Sequence, residues 1–350
     1  MGNPVNPNMV VLARELADLT QGELAKAVSI SQGKQSKIEA GILPMTDDLL
    51  ARTTHVLRRP ESFFRQPERL YGVETSLMYH RKRESVAART LRWMHANVNL
   101  RRIHVARLME GAVVQSKFDI PALDIEEFDG RADHVAKAVR LAWMLPRGPI
   151  DDLANTIENA GGIIIRFDFG TRLIDGLSQR IPGLPPLFFL NSEMPADRER
   201  LTLAHELGHI VMHAVPNPDI EEQANLFAAH FLMPDEDIRH AFNIVTLARL
   251  AALKGQWKVS MGALLVKARH LGKVTSNQYE YLWKQMSAAG YRTREPEHLD
   301  FPPEEPRLLQ EAIAFHRGPL DYDVKQLASL LHADEQEVRS MYLGQYLRAV

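Results

Sequence analysis

The pentapeptide His205-Glu206-Leu207-Gly208-His209 sets two imidazoles four positions apart with a carboxylate between them. On a helix, residues four apart share a face, so both rings can grip one ion while Glu206 addresses a water beside it. The chemistry this serves is amide hydrolysis, in which a metal acidifies the water and polarises a carbonyl while the carboxylate moves the proton. The chain has no cysteine, which excludes thiolate zinc sites, iron–sulfur clusters and disulfides. Any metal must therefore be held by His, carboxylates and water, and Zn2+ is the expected ion.

A catalytic zinc needs a third protein ligand and an open position, and Glu221 and Glu222 are the candidates. Ile220, Ala224, Phe227 and Phe231 form the apolar stripe of a helix from about Asp219 to Met233. At roughly 100° per residue, Glu221 falls beside that stripe and Glu222 nearly opposite, which selects Glu221. His213 continues the motif face by one turn and is either a partner of the ligands or a structural histidine. Asn225 and His230 are further candidates for supporting contacts that the sequence cannot orient.

The elements expected to position this set are strands followed by helices. Gly161-Gly162 leads into a β-branched run, Ile163 to Phe169, that predicts a strand. Shorter strands are expected at Gly176–Ile181 and Leu187–Asn191, then a helix from about Asp197 to His213. Either of the shorter strands could add a substrate peptide as an extra strand. The order argues for an α+β domain inside a mainly α chain.

Ahead of it, Thr20 caps a short helix whose apolar face is Leu24, Ala25 and Val28, and Ser31 caps the next, Gln32 to Glu39, closed by Gly41. Gln21, Ser31, Gln32, Lys34, Gln35, Ser36 and Lys37 offer side chains suited to phosphates and base edges. Two capped helices with a short turn describe a helix-turn-helix, the N-terminal all-α unit. Residues 1–70 carry nine Lys/Arg against eight Asp/Glu, so DNA affinity would lean on a homodimer or on the basic stretch that follows. That stretch, 71–118, has nine Lys/Arg against three Asp/Glu. Its apolar positions Leu91, Met94, Val98, Val105 and Leu108 predict a long helix over about 76–114.

These residues resemble two known families. Leu19-Thr20-Gln21, Leu24-Ala25 and Ser36-Lys37-Ile38-Glu39-Ala40-Gly41 resemble the lambda-repressor-like, Xre-type helix-turn-helix family, with Gln35 where that family usually has an aliphatic residue. The segment from Asp175 to Pro234 resembles the ImmA/IrrE metallopeptidases, which implies a zincin-like domain with His205, His209 and Glu221 as ligands and Glu206 as base. The resemblance further implies an operator DNA partner and a protein substrate, either a helix-turn-helix repressor or a toxin partner.

The chain therefore reads as a helix-turn-helix unit (1–70), a basic helical connector (71–145), a metallopeptidase domain with following helices (146–294), and a Pro- and acid-rich linker with a helical tail (295–350). No internal repeat is evident. With 45% hydrophobic and 25% charged residues, no leader and no apolar run of about 20 residues, a cytoplasmic, membrane-free protein is expected. The favoured function is a regulator with endopeptidase activity. The alternative is a non-catalytic zinc-containing repressor or antitoxin.

Overall fold

The computed structural model describes residues 4–72, 86–111, 116–213 and 218–344. It is mainly helical with one small sheet. The chain opens with α1 (Pro7–Leu16), α2 (Gln21–Ala27), α3 (Gln32–Glu39), α4 (Asp47–Leu57) and α5 (Glu61–Phe64). Thr20 and Glu23 form a capping box on α2, and the Ser31 side chain accepts from the Lys34 amide at the start of α3. Met9, Leu12, Leu24, Val28, Ile38, Leu50 and Phe63 make the core of this unit.

The long helix α6 (Ala88–Met109) is shorter than the expected span, whose parts over 76–85 and 112–114 lie outside the described residues. It is buried on two sides. Ala96, Leu100 and Ile103 complete the N-terminal core, whereas Met94, Val98, Val105 and Leu108 join a second core that includes one face of the sheet.

The next helices are α7 (Ala132–Ala142) and α8 (Leu153–Asn159). The sheet consists of β1 (Ile163–Phe167), β2 (Gly176–Gln179) and β3 (Leu187–Asn191), in the order β1-β3-β2. β1 runs parallel to β3, pairing Ile163 with Leu187, and β2 runs antiparallel, pairing Ser178 with Phe188. Side chains alternate across the sheet with the period of two. Ile163, Ile165, Phe167, Leu177, Leu187 and Phe189 face α6, and Ile164, Phe188 and Leu190 face the largest core. Because β3 has a partner on both sides, it offers no ladder to an added strand, contrary to one of the two sequence expectations; β2 has a strand partner on one side only among the described residues.

Across the sheet lie α9 (Ala196–Met212), which carries the histidine motif, and α10 (Ile220–Leu232), followed by α11 (Asp235–Ile238), α12 (Leu247–Trp257), α13 (Met261–His270) and α14 (Ser276–Ala288). The tail holds α15 (Leu308–Arg317), α16 (Val324–Leu331) and α17 (Glu335–Val338), the last continuing as a π-helix over Arg339–Leu343. These tail helices pack on the α6 side of the sheet, opposite the motif helix. No helix among the described residues is long and apolar enough to cross a membrane.

The acidic segment 295–306, expected as a linker, is bound down by charge. Lys254, 2% exposed, places Nζ 2.6 Å from Asp197 Oδ2 at the start of α9 and 2.7 Å from Glu295 Oε2. Burial lowers the lysine's proton affinity, but the hydrogen bonds it donates to both carboxylates outweigh it, and the pKa sits above its ordinary value. Glu304 pairs with the buried Arg200 of α9 and accepts from the Ala154 amide at 2.8 Å. Removing one member of such a buried set leaves the others as unpaired charges. Lys254→Met is accordingly expected to lower unfolding free energy by about 3–5 kcal/mol, read by urea denaturation. A loss below about 1 kcal/mol, the scale of an exposed pair, would show that the segment is only loosely held.

Candidate metal centre

The motif helix forms because acidic Asp197 and Glu199 sit in its first turn, where the helix dipole favours them, and Leu203, Ala204, Leu207 and Val211 supply a buried face. The neighbouring helix α10 buries Ile220, Ala224, Phe227 and Phe231, the stripe read from the sequence. The two helices pack closely because residue 208 is glycine. A Cβ there would lie 3.1 Å from the Phe227 ring and 3.3 Å from the Ala224 Cα, and neither buried group has room to retreat.

That approach brings three donors together. The Nε2 atoms of His205 and His209 are 2.9 Å apart, and Glu221 places carboxylate oxygens 3.6 Å from the first and 3.4 Å from the second. Donors on one tetrahedral zinc lie about 3.3–3.6 Å apart, so the set fits the ion once the imidazoles open by about 0.4 Å. Glu222 is exposed and turned away from this cluster.

Each ring's second nitrogen is occupied in a way that fixes its tautomer. His205 Nδ1 is 3.1 Å from Asn225 Oδ1, an acceptor, so Nδ1 carries the proton and Nε2 keeps its lone pair. His209 Nδ1 is 2.9 Å from His213 Nδ1, and His213 Nε2 is 3.0 Å from Gln223 Oε1. The consistent assignment has His213 donate to Gln223, accept from His209, and leave His209 Nε2 free for a cation. Burial, reinforced by the nearby His209, lowers the His213 pKa to about 4, so the ring is a neutral acceptor near pH 7. For His205 burial is again the largest effect and lowers the pKa, but the Glu221 and Glu206 carboxylates together outweigh it and leave it raised.

Glu206 is 1% exposed and accepts a 2.7 Å hydrogen bond at Oε2 from Ser178 Oγ of β2, which also lies 3.2 Å from the Glu206 carbonyl. Nothing in the sequence singles out Ser178 or Gln223. Only β2's register against the motif helix reveals the first, and only the helical offset from His213 the second. His230, by contrast, sits nine residues beyond Glu221 on α10, where its Nδ1 is 3.2 Å from both Lys267 Nζ and Asp235 Oδ1. It contacts none of the three donors. With His270 it forms another group of metal-capable side chains, but the Lys267 ammonium, 2.6 Å from Asp235 Oδ1, already neutralises that carboxylate.

The residues read as DNA contacts divide. Ser31, Gln32, Lys34, Ser36 and Lys37 are exposed on α3 and its cap. Gln35 is not available to DNA: it is 1% exposed, and its Nε2 donates to Glu39 Oε1 at 2.8 Å. Gln21 is half-buried and donates to Glu39 Oε2 at 2.8 Å. Arg14 completes the set with two bonds to the same carboxylate, at 2.8 and 3.0 Å. The polar residue at position 35 is thus accommodated because Glu39 gathers Arg14, Gln21 and Gln35 between the helices.

Partners of the second ring nitrogen typically change metal affinity by about 10–100-fold. His213→Leu and Asn225→Leu are each expected to weaken zinc binding within that range, measured by competition with a chromophoric chelator, with helical content unchanged. Affinities equal to the parent protein's would remove these side chains from the centre.

Residues 157–269, spanning β1 to α13 and including every donor named above, match the family model of the IrrE N-terminal-like domain, peptidase M78. No curated protein matches the chain. The matched segment is thus similar to an ImmA/IrrE-type peptidase domain, and that similarity supports a metallopeptidase-like protein with a regulatory role.

Proposed function

We propose that the protein is a zinc-dependent endopeptidase of regulatory proteins that also binds operator DNA through α3. The observation that carries the peptidase reading is the placement of Glu206 against Ser178 beside a three-donor cluster. A structural zinc site needs no base, and its coordination is closed by four ligands; here two imidazoles and one carboxylate leave a position open.

His205, His209 and Glu221 would hold the zinc, which would supply Lewis acidity toward an attacking water and the peptide carbonyl. Glu206 removes the water's proton and delivers it to the leaving amine. The Ser178 hydroxyl holds Oε2, so the other carboxylate oxygen does the proton transfer. β2, with β3 as its ladder partner on one side among the described residues, is the edge on which an extended substrate would add, next to the motif helix. The substrate class follows from the resemblance to ImmA/IrrE peptidases: a helix-turn-helix repressor or a related regulator.

The zincin-like arrangement and the helix-turn-helix assignment belong to the same reading. α2 and α3 are joined by a short capped turn, and Ser31, Gln32, Lys34, Ser36 and Lys37 lie together on an exposed face suited to a major groove. With Gln35 and Gln21 committed to Glu39, that exposed set is the proposed DNA surface.

Two experiments test the two halves. The wild type and Glu206→Gln, matched for zinc content, are incubated with candidate repressors from the same genome and cleavage is read by mass spectrometry. Glu206→Gln should lower the rate by about 10²–10⁴-fold, and chelation should abolish it. Equal rates in both proteins would end the peptidase reading. Separately, Lys34→Ala/Lys37→Ala should weaken retardation of promoter DNA and reduce the slope of log affinity against log salt by about 1 for each phosphate no longer neutralised. An unchanged slope would remove α3 from the DNA.

A further inference from the structure

Two stretches at opposite ends of the chain share one backbone plan. In the first, Thr20 opens α2 in a capping box with Glu23, Leu24-Ala25 are buried, Ser29 takes a left-handed φ of 56°, Ile30 is half-buried, and Ser31 caps α3 by accepting from Lys34 N. In the second, Asp323 opens α16 in a capping box with Gln326, Leu327-Ala328 are buried, His332 takes a left-handed φ of 49°, Ala333 is buried, and Asp334 caps α17 by accepting from Glu337 N. Every landmark keeps the same spacing in both. A left-handed residue between two helices, then an apolar residue and a capping residue, makes the turn of a helix-turn-helix.

The two units differ in what they expose. Where α3 and its cap present Ser31, Gln32, Lys34, Ser36 and Lys37, the second unit presents Asp334, Glu335, Gln336, Arg339 and Ser340. Carboxylates at the start of the second helix, where a phosphate would approach, repel nucleic acid. Its remaining faces are already occupied. Glu337, standing where the first unit has Lys34, is paired with Arg59 just after α4, both side chains being largely buried. Met341 packs against both the N-terminal core and the core under the sheet, and Tyr342 sets its hydroxyl 2.7 Å from His104 Nδ1 of α6.

We propose that residues 323–342 are a second helix-turn-helix unit that binds protein instead of nucleic acid, its partner being this chain's own N-terminal unit, so that α3 is clasped in one orientation relative to the peptidase domain. The Arg59–Glu337 pair is the polar latch, and Met341 packs as its apolar neighbour. The unit is invisible as a sequence repeat because the two copies share apolar positions and caps, not surface residues.

The test is hydrogen exchange of the full chain, comparing the wild type with Glu337→Lys and with Arg59→Glu/Glu337→Lys. The single substitution should speed exchange of the α4 and α5 amides by about tenfold, and the reversed pair should restore protection. Unchanged zinc content reports that the peptidase domain is intact, and Glu337→Gln serves as the milder variant if lysine unfolds the chain. Protection unaltered in every variant would overturn the clasp. A second arm rests on the DNA reading above: Gln336→Ala/Arg339→Ala should retard promoter DNA as the wild type does, and weakened retardation would make the unit a DNA reader after all. If the wild type retards no DNA, that reading fails while the exchange result still decides the clasp.

Discussion

The close approach of α9 and α10 at Gly208 is the constraint on which the candidate metal centre depends. Two of the candidate donors ride on one helix and the third on the other, so the set comes together only if the helices pack with no side chain between them. A cluster of two imidazoles and a carboxylate tolerates errors of a few tenths of an ångström, which loops do not provide and a close-packed helix pair does. The Phe227 ring lies against the space that glycine leaves, and Phe231 stacks on it.

Around that pair the fold uses buried charge to fix position. Lys254 joins the start of α9 to Glu295, Arg200 joins it to Glu304, and Arg166 of β1 reaches Glu199. Buried ion pairs contribute little net stability compared with apolar packing, yet each is costly to break singly, so they enforce one arrangement of segments. The outcome is that residues 295–306, acidic and proline-rich, run as a strap against the motif helix, and the tail beyond lies on the far face of the sheet, away from the metal donors.

α6 has the equivalent role at larger scale. One face completes the N-terminal core and the other completes the core under the sheet, so a single helix is shared by the segment that carries α3 and the segment that carries the sheet. The same helix also holds His104 against Tyr342, linking the tail to both.

The sequence by itself determined the local arrangement: the shared face of the motif histidines by their spacing, the preference for Glu221 over Glu222 beside them by helical phase, the strands by β-branched runs, and the α2 and α3 caps by Thr20 and Ser31. These are legible because helix and strand periods and capping bonds involve residues close in the chain. The tertiary structure alone decided which strand is central, since β3 lies between β1 and β2 against chain order. It also decided that Gln35 turns inward to Glu39, that Gln223 stands behind His213, that Ser178 holds Glu206, and that the tail repeats the α2–α3 turn. Each of those depends on register or packing between distant segments, where a polar side chain's direction follows from its neighbour across the gap and not from its neighbours in sequence.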